Sequence, residues 1–245
     1  MFQLCVWILA GAMARRKDGR DTRDRVLRAA QEVFAEKGLR DATVAEICAR
    51  AGANLAAVNY HFRDKDSLYV EAWRHAFAEA HVLYPADGGV AADAPPEQRL
   101  RGHITSLLRR MTDDGRLGHF HRFHMMELAN PTGLVEPIMR EAIAPLRQNL
   151  LSILRDLLGA HATEDDLVLC EISVVGQCRA VTDLKRRPLE IAQLKRLGER
   201  SIEELADHIT EFSLAGVQAI RQRVDANARR RQSRRRRAVR ISSSA

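Results

Sequence analysis

Proline and glycine are sparse in this 245-residue chain, at 7 and 14 residues, and aromatic side chains make up only 5% of it. That shortage disfavours an all-β fold, which needs frequent turns and aromatic or β-branched strand faces. The four cysteines, Cys5, Cys48, Cys170 and Cys178, include no C-x-x-C pair. A disulfide framework and a cysteine-based metal site are therefore not expected, and the four read as reduced thiols in a cytoplasmic protein. Catalytic signatures are missing as well: the chain has no G-x-S-x-G, no Walker loop, no G-x-G-x-x-G and no H-E-x-x-H. It is not expected to be an enzyme or to carry a cofactor. No apolar run approaches the roughly 20 residues that span a bilayer, so no membrane partner is expected.

What the chain does have is 46% hydrophobic and 29% charged residues, enough for a large core and a well-solvated surface. Its formal charge of +7 is concentrated at one end. Residues 221–245 hold ten arginines and one aspartate, which leaves the first 220 residues slightly acidic. A block this cationic and this poor in apolar groups reads as a disordered tail, here 224–245, able to add affinity for a phosphate backbone without reading sequence. At the other end, Met1–Ala12 is apolar and stands before Arg15, Arg16 and Lys17. A secretory leader carries its charges ahead of the apolar stretch, so none is expected here. It reads as a short hydrophobic anchor or as residues ahead of the natural start, expected at Met13, and residues 1–20 are set aside as a disordered or mis-included extension.

Between these ends the apolar residues recur with helical spacing. Val26, Leu27, Ala30, Val33 and Phe34 fall on one face of a helix that stops near Gly38. Thr43 and Glu46 have the spacing of a capping box, and Val44, Ile47, Cys48 and Ala51 give the following short helix its buried stripe. Gly52 breaks it; a third helix runs from Asn54 to about His61, and Asp64 can cap a fourth from Lys65 to about Leu83. Pro85, Gly88, Gly89, Pro95 and Pro96 interrupt the pattern and mark a boundary. Further helices are expected near 97–111, 117–129, 134–158, 164–184 and 200–223, the last opened by a Ser201–Glu204 capping box. The fold expected is all-α: a three-helix helix-turn-helix domain over 21–83 and a helical regulatory and dimerisation domain over 97–223.

Residues 43–62 describe two short helices joined at Ala51-Gly52-Ala53, where small residues allow close crossing. Leu55 and Val58 are expected to anchor the second helix, leaving Asn54, Ala56, Asn59, Tyr60 and His61 on its other faces. A helix offering small and hydrogen-bonding side chains suits the major groove. A packing hairpin that binds nothing fits the same pattern.

The stretch from Thr22 to Ala80 resembles the N-terminal domain of TetR-family transcriptional regulators. The resemblance is carried by Ala29-Ala30 with Phe34-Ala35-Glu36-Lys37-Gly38, by Thr43-Val44 with Ile47 to Gly52, by Asn59-Tyr60-His61-Phe62 and by Asp64-Lys65-Asp66-Ser67-Leu68. It implies phosphate contacts from Thr43 and Lys65 and base or phosphate contacts from Asn54, Ala56, Asn59, Tyr60 and His61. Residues 119–159, Val174–Cys178 and Glu204–Ile220 resemble the C-terminal domain of a subgroup associated with antibiotic sensitivity and with efflux or transporter genes. The whole implies a homodimer on a palindromic double-stranded operator, released by a small-molecule effector. Candidate effector contacts are Phe120, His121, His124, Met125, Gln177 and Cys178. His119, His121, His124 and Glu127 also suggest a metal set, yet their spacing suits pocket-lining or core residues, and no metal is expected. The competing reading is a helical protein that coats nucleic acid through its arginine tail. Leu205, Ile209, Phe212 and Gly216, widened by Ala206, Val217 and Ile220, are expected to form the dimer seam.

Overall fold

The computed structural model describes residues 2–113, 118–186 and 192–242, with side chains described for 21–113, 119–185, 194–230 and Ser233. Every regular element among them is a helix. The chain divides into two units, and the division cuts across the sequence. One unit comprises 1–83 with 113–142, the other 84–112 with 143–245.

The first unit holds α1 (Phe2–Asp41), α2 (Val44–Ala51), α3 (Leu55–His61), α4 (Lys65–Leu83) and α6 (Gly118–Ala129). Its core is built on the expected α1 stripe: Val26, Leu27, Ala30, Val33 and Phe34 are completely buried. Phe34 and Tyr69 meet edge-to-face at 4.8 Å, and Phe123 of α6 completes the trio at 4.8 Å from Tyr69 and 5.8 Å from Phe34. Such aromatic contacts add about 0.5–1.5 kcal/mol each beyond simple burial. By packing, part of the segment expected in the C-terminal domain groups with the N-terminal helices. The segment around 118–142 packs with the N-terminal helices, where Phe123 meets rings of both α1 and α4. Gly38 sits at φ 71°, so the helical path of α1 breaks there, and a Cβ at that point would meet the Met126 side chain at 3.5 Å.

The second unit contains α5 (Pro96–Thr112), most of α7 (Glu136–Leu158), α8 (Glu164–Arg186), α9 (Ala192–Gly198) and α10 (Ile202–Ser242). Leu100, Ile104 and Leu108 of α5 pack with Leu150, Ile153 and Leu154 of α7, Leu167, Cys170, Val174 and Cys178 of α8, and Leu205 and Ile209 of α10. The loop before α5 is pressed onto that helix. Gly88 has φ +64°, and a Cβ there would lie 2.2 Å from the Gly102 carbonyl oxygen, so glycine is required. Ser106 Oγ donates to the Pro85 carbonyl, while His103 Nδ1 (2.9 Å) and Asn149 Nδ2 (3.1 Å) share the Ala86 carbonyl.

Three sequence expectations change. Backbone helix begins at Phe2, through the segment 1–20 expected to be a disordered or mis-included extension; residues 2–21 contain no proline to stop it. Likewise α10 runs on to Ser242, through the expected disordered tail. No glycine or proline follows Gly216 within that helix, and arginine and alanine are good helix formers. The expected dimer stripe also splits: Leu205, Ala206, Ile209 and Val217 fill the core of their own unit, whereas Phe212 stays 64% exposed. Leu169 and Ile172 of α8 are exposed as well, and the Gly176 and Gly216 positions open onto free space.

Candidate nucleic-acid interface

The short helices α2 and α3 are fixed by local bonds that the sequence specifies. Thr43 caps α2 by accepting the Glu46 N–H at 3.2 Å, and Gly52 closes it in the left-handed conformation at φ 59°. Only half of the expected capping box forms. The Glu46 carboxylate turns to Lys37 Nζ at 2.8 Å instead, because α1 brings an ammonium within reach. Arg50 reinforces the crossing by pairing with Glu36 at 2.9 Å and 3.0 Å. That guanidinium holds the Glu36 carboxyl below its ordinary range.

Asn54 caps α3, its Oδ1 accepting the Ala57 N–H at 2.8 Å. Val58 and Phe62 are the anchors of this helix, at 3% and 4% exposure. The Arg23 guanidinium lies 5.5 Å over the Phe62 ring and also pairs with Glu71 of α4 at 2.9 Å. Leu55, expected to be the second anchor, is 55% exposed. Its correction has a simple cause. With Val58 and Phe62 (i, i+4) facing inward, Leu55 lies off the buried side at the first turn of a helix only seven residues long.

The outward face of α3 therefore carries Asn54, Leu55, Ala56, Asn59 and Tyr60, and Tyr60 is 85% exposed. His61 is half-buried, its ring 5.0 Å from that of Tyr60. Asp64 caps α4 through the Ser67 N–H at 2.7 Å, and this bond lowers the Asp64 pKa. Lys65, the first residue of α4, donates to the carbonyls of Arg40 at 3.4 Å and Ala42 at 3.2 Å, so it ties α4 to the end of α1. An ammonium has three protons, which leaves capacity for an anion. Arg63, between α3 and α4, is exposed; it and Leu55 join this face although neither is among the residues expected there.

The residues suggested as effector contacts do not all fall in one unit. Phe120, His121, His124 and Met125 lie in the first, Gln177 and Cys178 in the second. Phe120 packs against Trp73 (6.0 Å), Phe77 (5.8 Å) and His124 (5.9 Å), and His121 is buried. The Trp73 indole N–H is buried with no acceptor among the described residues. Glu127 accepts the Tyr69 hydroxyl at 2.8 Å and the Thr132 N–H at 3.0 Å, so its oxygens are committed to protein donors. No group of His, Cys, Asp and Glu among the described residues is placed to hold a metal ion. In the second unit, Gln177 donates to Ser213 Oγ at 3.2 Å, and Cys178 is fully buried, which pushes its thiol up to about 12. No described helix is long and apolar enough to cross a membrane.

Comparison with known proteins matches two parts of the chain. Residues 26–72 match the family "Bacterial regulatory proteins, tetR family", and residues 96–217 match "HTH-type transcriptional dual regulator CecR, C-terminal domain". The chain is similar to the HTH-type transcriptional dual regulator CecR of Shigella flexneri, 27% identical over 66% of this chain and 76% of that protein. It is 33% identical to the HTH-type transcriptional regulator AcrR of the same organism, over 25% of this chain and 29% of that one. Among solved structures, a TetR-like transcriptional regulator from Rhodococcus sp. RHA1 aligns with a TM-score of 0.56 at 20% identity. That alignment covers 80% of this chain and 95% of the other. The fatty acid degradation regulator FadR from Bacillus halodurans aligns with a TM-score of 0.58 at 16% identity, with the same coverage. At these identities the structural likeness shows the fold.

Proposed function

The chain belongs to the TetR family of bacterial regulatory proteins, a DNA-binding transcriptional regulator with a helix-turn-helix head, and on that basis we propose that it represses transcription as a dimer on a palindromic operator and is released by a small molecule. The observation that carries the reading is the face of α3. Five neighbouring residues, Asn54, Leu55, Ala56, Asn59 and Tyr60, project away from a helix whose only deeply buried anchors are Val58 and the following Phe62. Asn59 supplies paired donor and acceptor atoms of the kind that read adenine, while Leu55 and Ala56 offer apolar surface to thymine methyl groups. Asn54 and Thr43 spend their oxygens on capping, so their role is to set α3 and α2 in place and to meet phosphates. Lys65 and Arg63 add positive charge, and His61 packs beside Tyr60.

Dimerisation is supported by Leu169, Ile172 and Phe212, large apolar side chains exposed on α8 and α10, with Gly176 and Gly216 open for close helix approach. Two heads on a dimer would enter successive major grooves about 34 Å apart. Release follows if the effector prefers a conformation with a different head spacing; a 100-fold loss of operator affinity needs about 2.7 kcal/mol of differential binding. The regulated genes, by the subgroup resemblance, encode an efflux pump or transporter. Selection of a palindrome from random duplexes, followed by anisotropy titration at fixed salt, tests the reading. The parent protein is expected to prefer the selected site by at least about 10³ over scrambled DNA. Tyr60→Ala or Asn59→Ala is expected to weaken it by about 1–3 kcal/mol with dimerisation intact. A protein that binds both duplexes equally is a coating protein instead.

A further inference from the structure

We propose that Arg110 anchors the effector and that the effector is a small monocarboxylate with an otherwise uncharged body, which deepens the ligand-released reading above and rests on it. Helix α5 buries two faces. Leu100, Ile104 and Leu108 enter the core of the second unit. A second row at i, i+3 and i+7, formed by His103, Ser106 and Arg110, is polar and also buried, with Arg110 only 5% exposed. Two of these three residues are explained by the chain itself: His103 and Ser106 hold the carbonyls of Ala86 and Pro85.

Arg110 is not. Its Nε and Nη2 are buried with no hydrogen-bond partner among the described residues, and they are the only such buried side-chain atoms described in that unit. Burying two guanidinium N–H groups without partners is costly, and a compensating group from outside the chain would remove that cost. Burial draws its pKa down only to about 10, so the group stays cationic at neutral pH.

The geometry of the free atoms defines the ligand. Nε–H and Nη2–H lie on one edge of the planar guanidinium, the fork that donates in parallel to both oxygens of a carboxylate. The charge count limits the ligand further. His103, the other ionisable group on this row, is held uncharged at neutral pH, its pKa lowered to about 4 by burial and by Arg110. One fixed positive charge matches one negative charge, which favours a monoanion over a doubly charged phosphate.

The test uses the full-length chain in a buffer of constant chloride, with benzoate and hexanoate as probes and benzamide and hexanamide as their neutral counterparts. Calorimetric titration of the parent is expected to show each acid binding at least about tenfold tighter than its amide, the effect of a bidentate charge-assisted contact. Arg110→Met, which keeps the stem and removes the charge, is expected to reduce that preference below about twofold. Its melting temperature without ligand should equal or exceed that of the parent. Arg110→Lys keeps the charge without the fork and should retain a preference between these values. Equal binding of acid and amide, no binding of either acid, or an Arg110→Met protein that keeps the preference would overturn the proposal. So would an Arg110→Met protein that melts several degrees below the parent, since the chain would then itself satisfy the guanidinium. Operator selectivity measured on the same samples separates the two readings. Intact selectivity without acid preference removes only the ligand class, whereas absent selectivity removes the regulator reading and this proposal with it.

Discussion

Leu55 and Val58 stand three residues apart on α3, and substituting each by alanine should give opposite results in two assays. Val58 is 3% exposed, so Val58→Ala removes about two buried methylene equivalents at about 0.8 kcal/mol each. The cavity left behind adds to that, for a loss of about 2–3 kcal/mol of stability. Leu55 already exposes 55% of its surface, and shortening it should cost less than about 1 kcal/mol. On DNA the order reverses. Leu55→Ala removes apolar surface that faces outward beside Ala56 and Asn59, and operator affinity should fall about fivefold, near 1 kcal/mol. Val58→Ala, assayed where it is folded, should bind within about twofold of the parent. Urea unfolding followed by circular dichroism gives the first quantity as a midpoint shift at constant slope. Anisotropy on the selected operator gives the second. If Leu55→Ala unfolds as early as Val58→Ala, or binds the operator as tightly as the parent, the outward assignment of Leu55 is wrong.

Phe123→Ala should destabilise the N-terminal unit by about 3–5 kcal/mol, since its fully buried ring meets both Phe34 and Tyr69; a loss under 1 kcal/mol in chemical denaturation would contradict that packing. His103 gives a pH dependence. Its folded pKa of about 4 lies below the ordinary value of 6.5, so the unfolded chain binds the extra proton first. Stability should be full above pH 6.5 and decline as pH falls toward 4, by up to about 3 kcal/mol, and His103→Gln should flatten that part of the curve. Removing Ala226–Ala245 should reduce the slope of operator affinity against salt and leave the ranking of operator variants unchanged. An unaltered slope would mean that the arginines do not touch DNA.

Local signals served the sequence reading well because helix starts and stops are set within a few residues. Asp64 capping α4, the reciprocal Ser201–Glu204 bonds at 2.9 and 3.1 Å, and the Gly52 turn all follow from nearest neighbours. The membership of α6 could not be read that way. Phe123 packs on Phe34 from 89 positions away, and nothing near Phe123 encodes its partner. On α3, the pairs Leu55/Val58 and Val58/Phe62 both satisfy helical spacing, and a seven-residue helix is too short for periodicity to choose between them. The long α10 stripe failed for another reason: one row of apolar residues serves two surfaces, Leu205 and Ile209 packing inward while Phe212 remains outside. Arg110 went unnoticed because a basic residue in an amphipathic helix is ordinarily a solvated one.

The N-terminal unit is interrupted in sequence, and that sets a schedule for its folding during synthesis. Its first stretch ends at Leu83, but its second stretch extends to Ala142, beyond the whole of α5. At ordinary synthesis rates of about 5–20 residues per second, those further residues take about 3–12 s to appear. Until Phe123 itself is made, 40 positions past Leu83 and about 2–8 s later at the same rates, the faces of Phe34 and Tyr69 that will receive it have no ring to cover them. The head must wait with open apolar surface, and closing it requires a long loop whose entropy is lost before the contact is gained. A nascent chain stalled between Leu83 and Phe123 should therefore be the species most exposed to chaperone capture and aggregation.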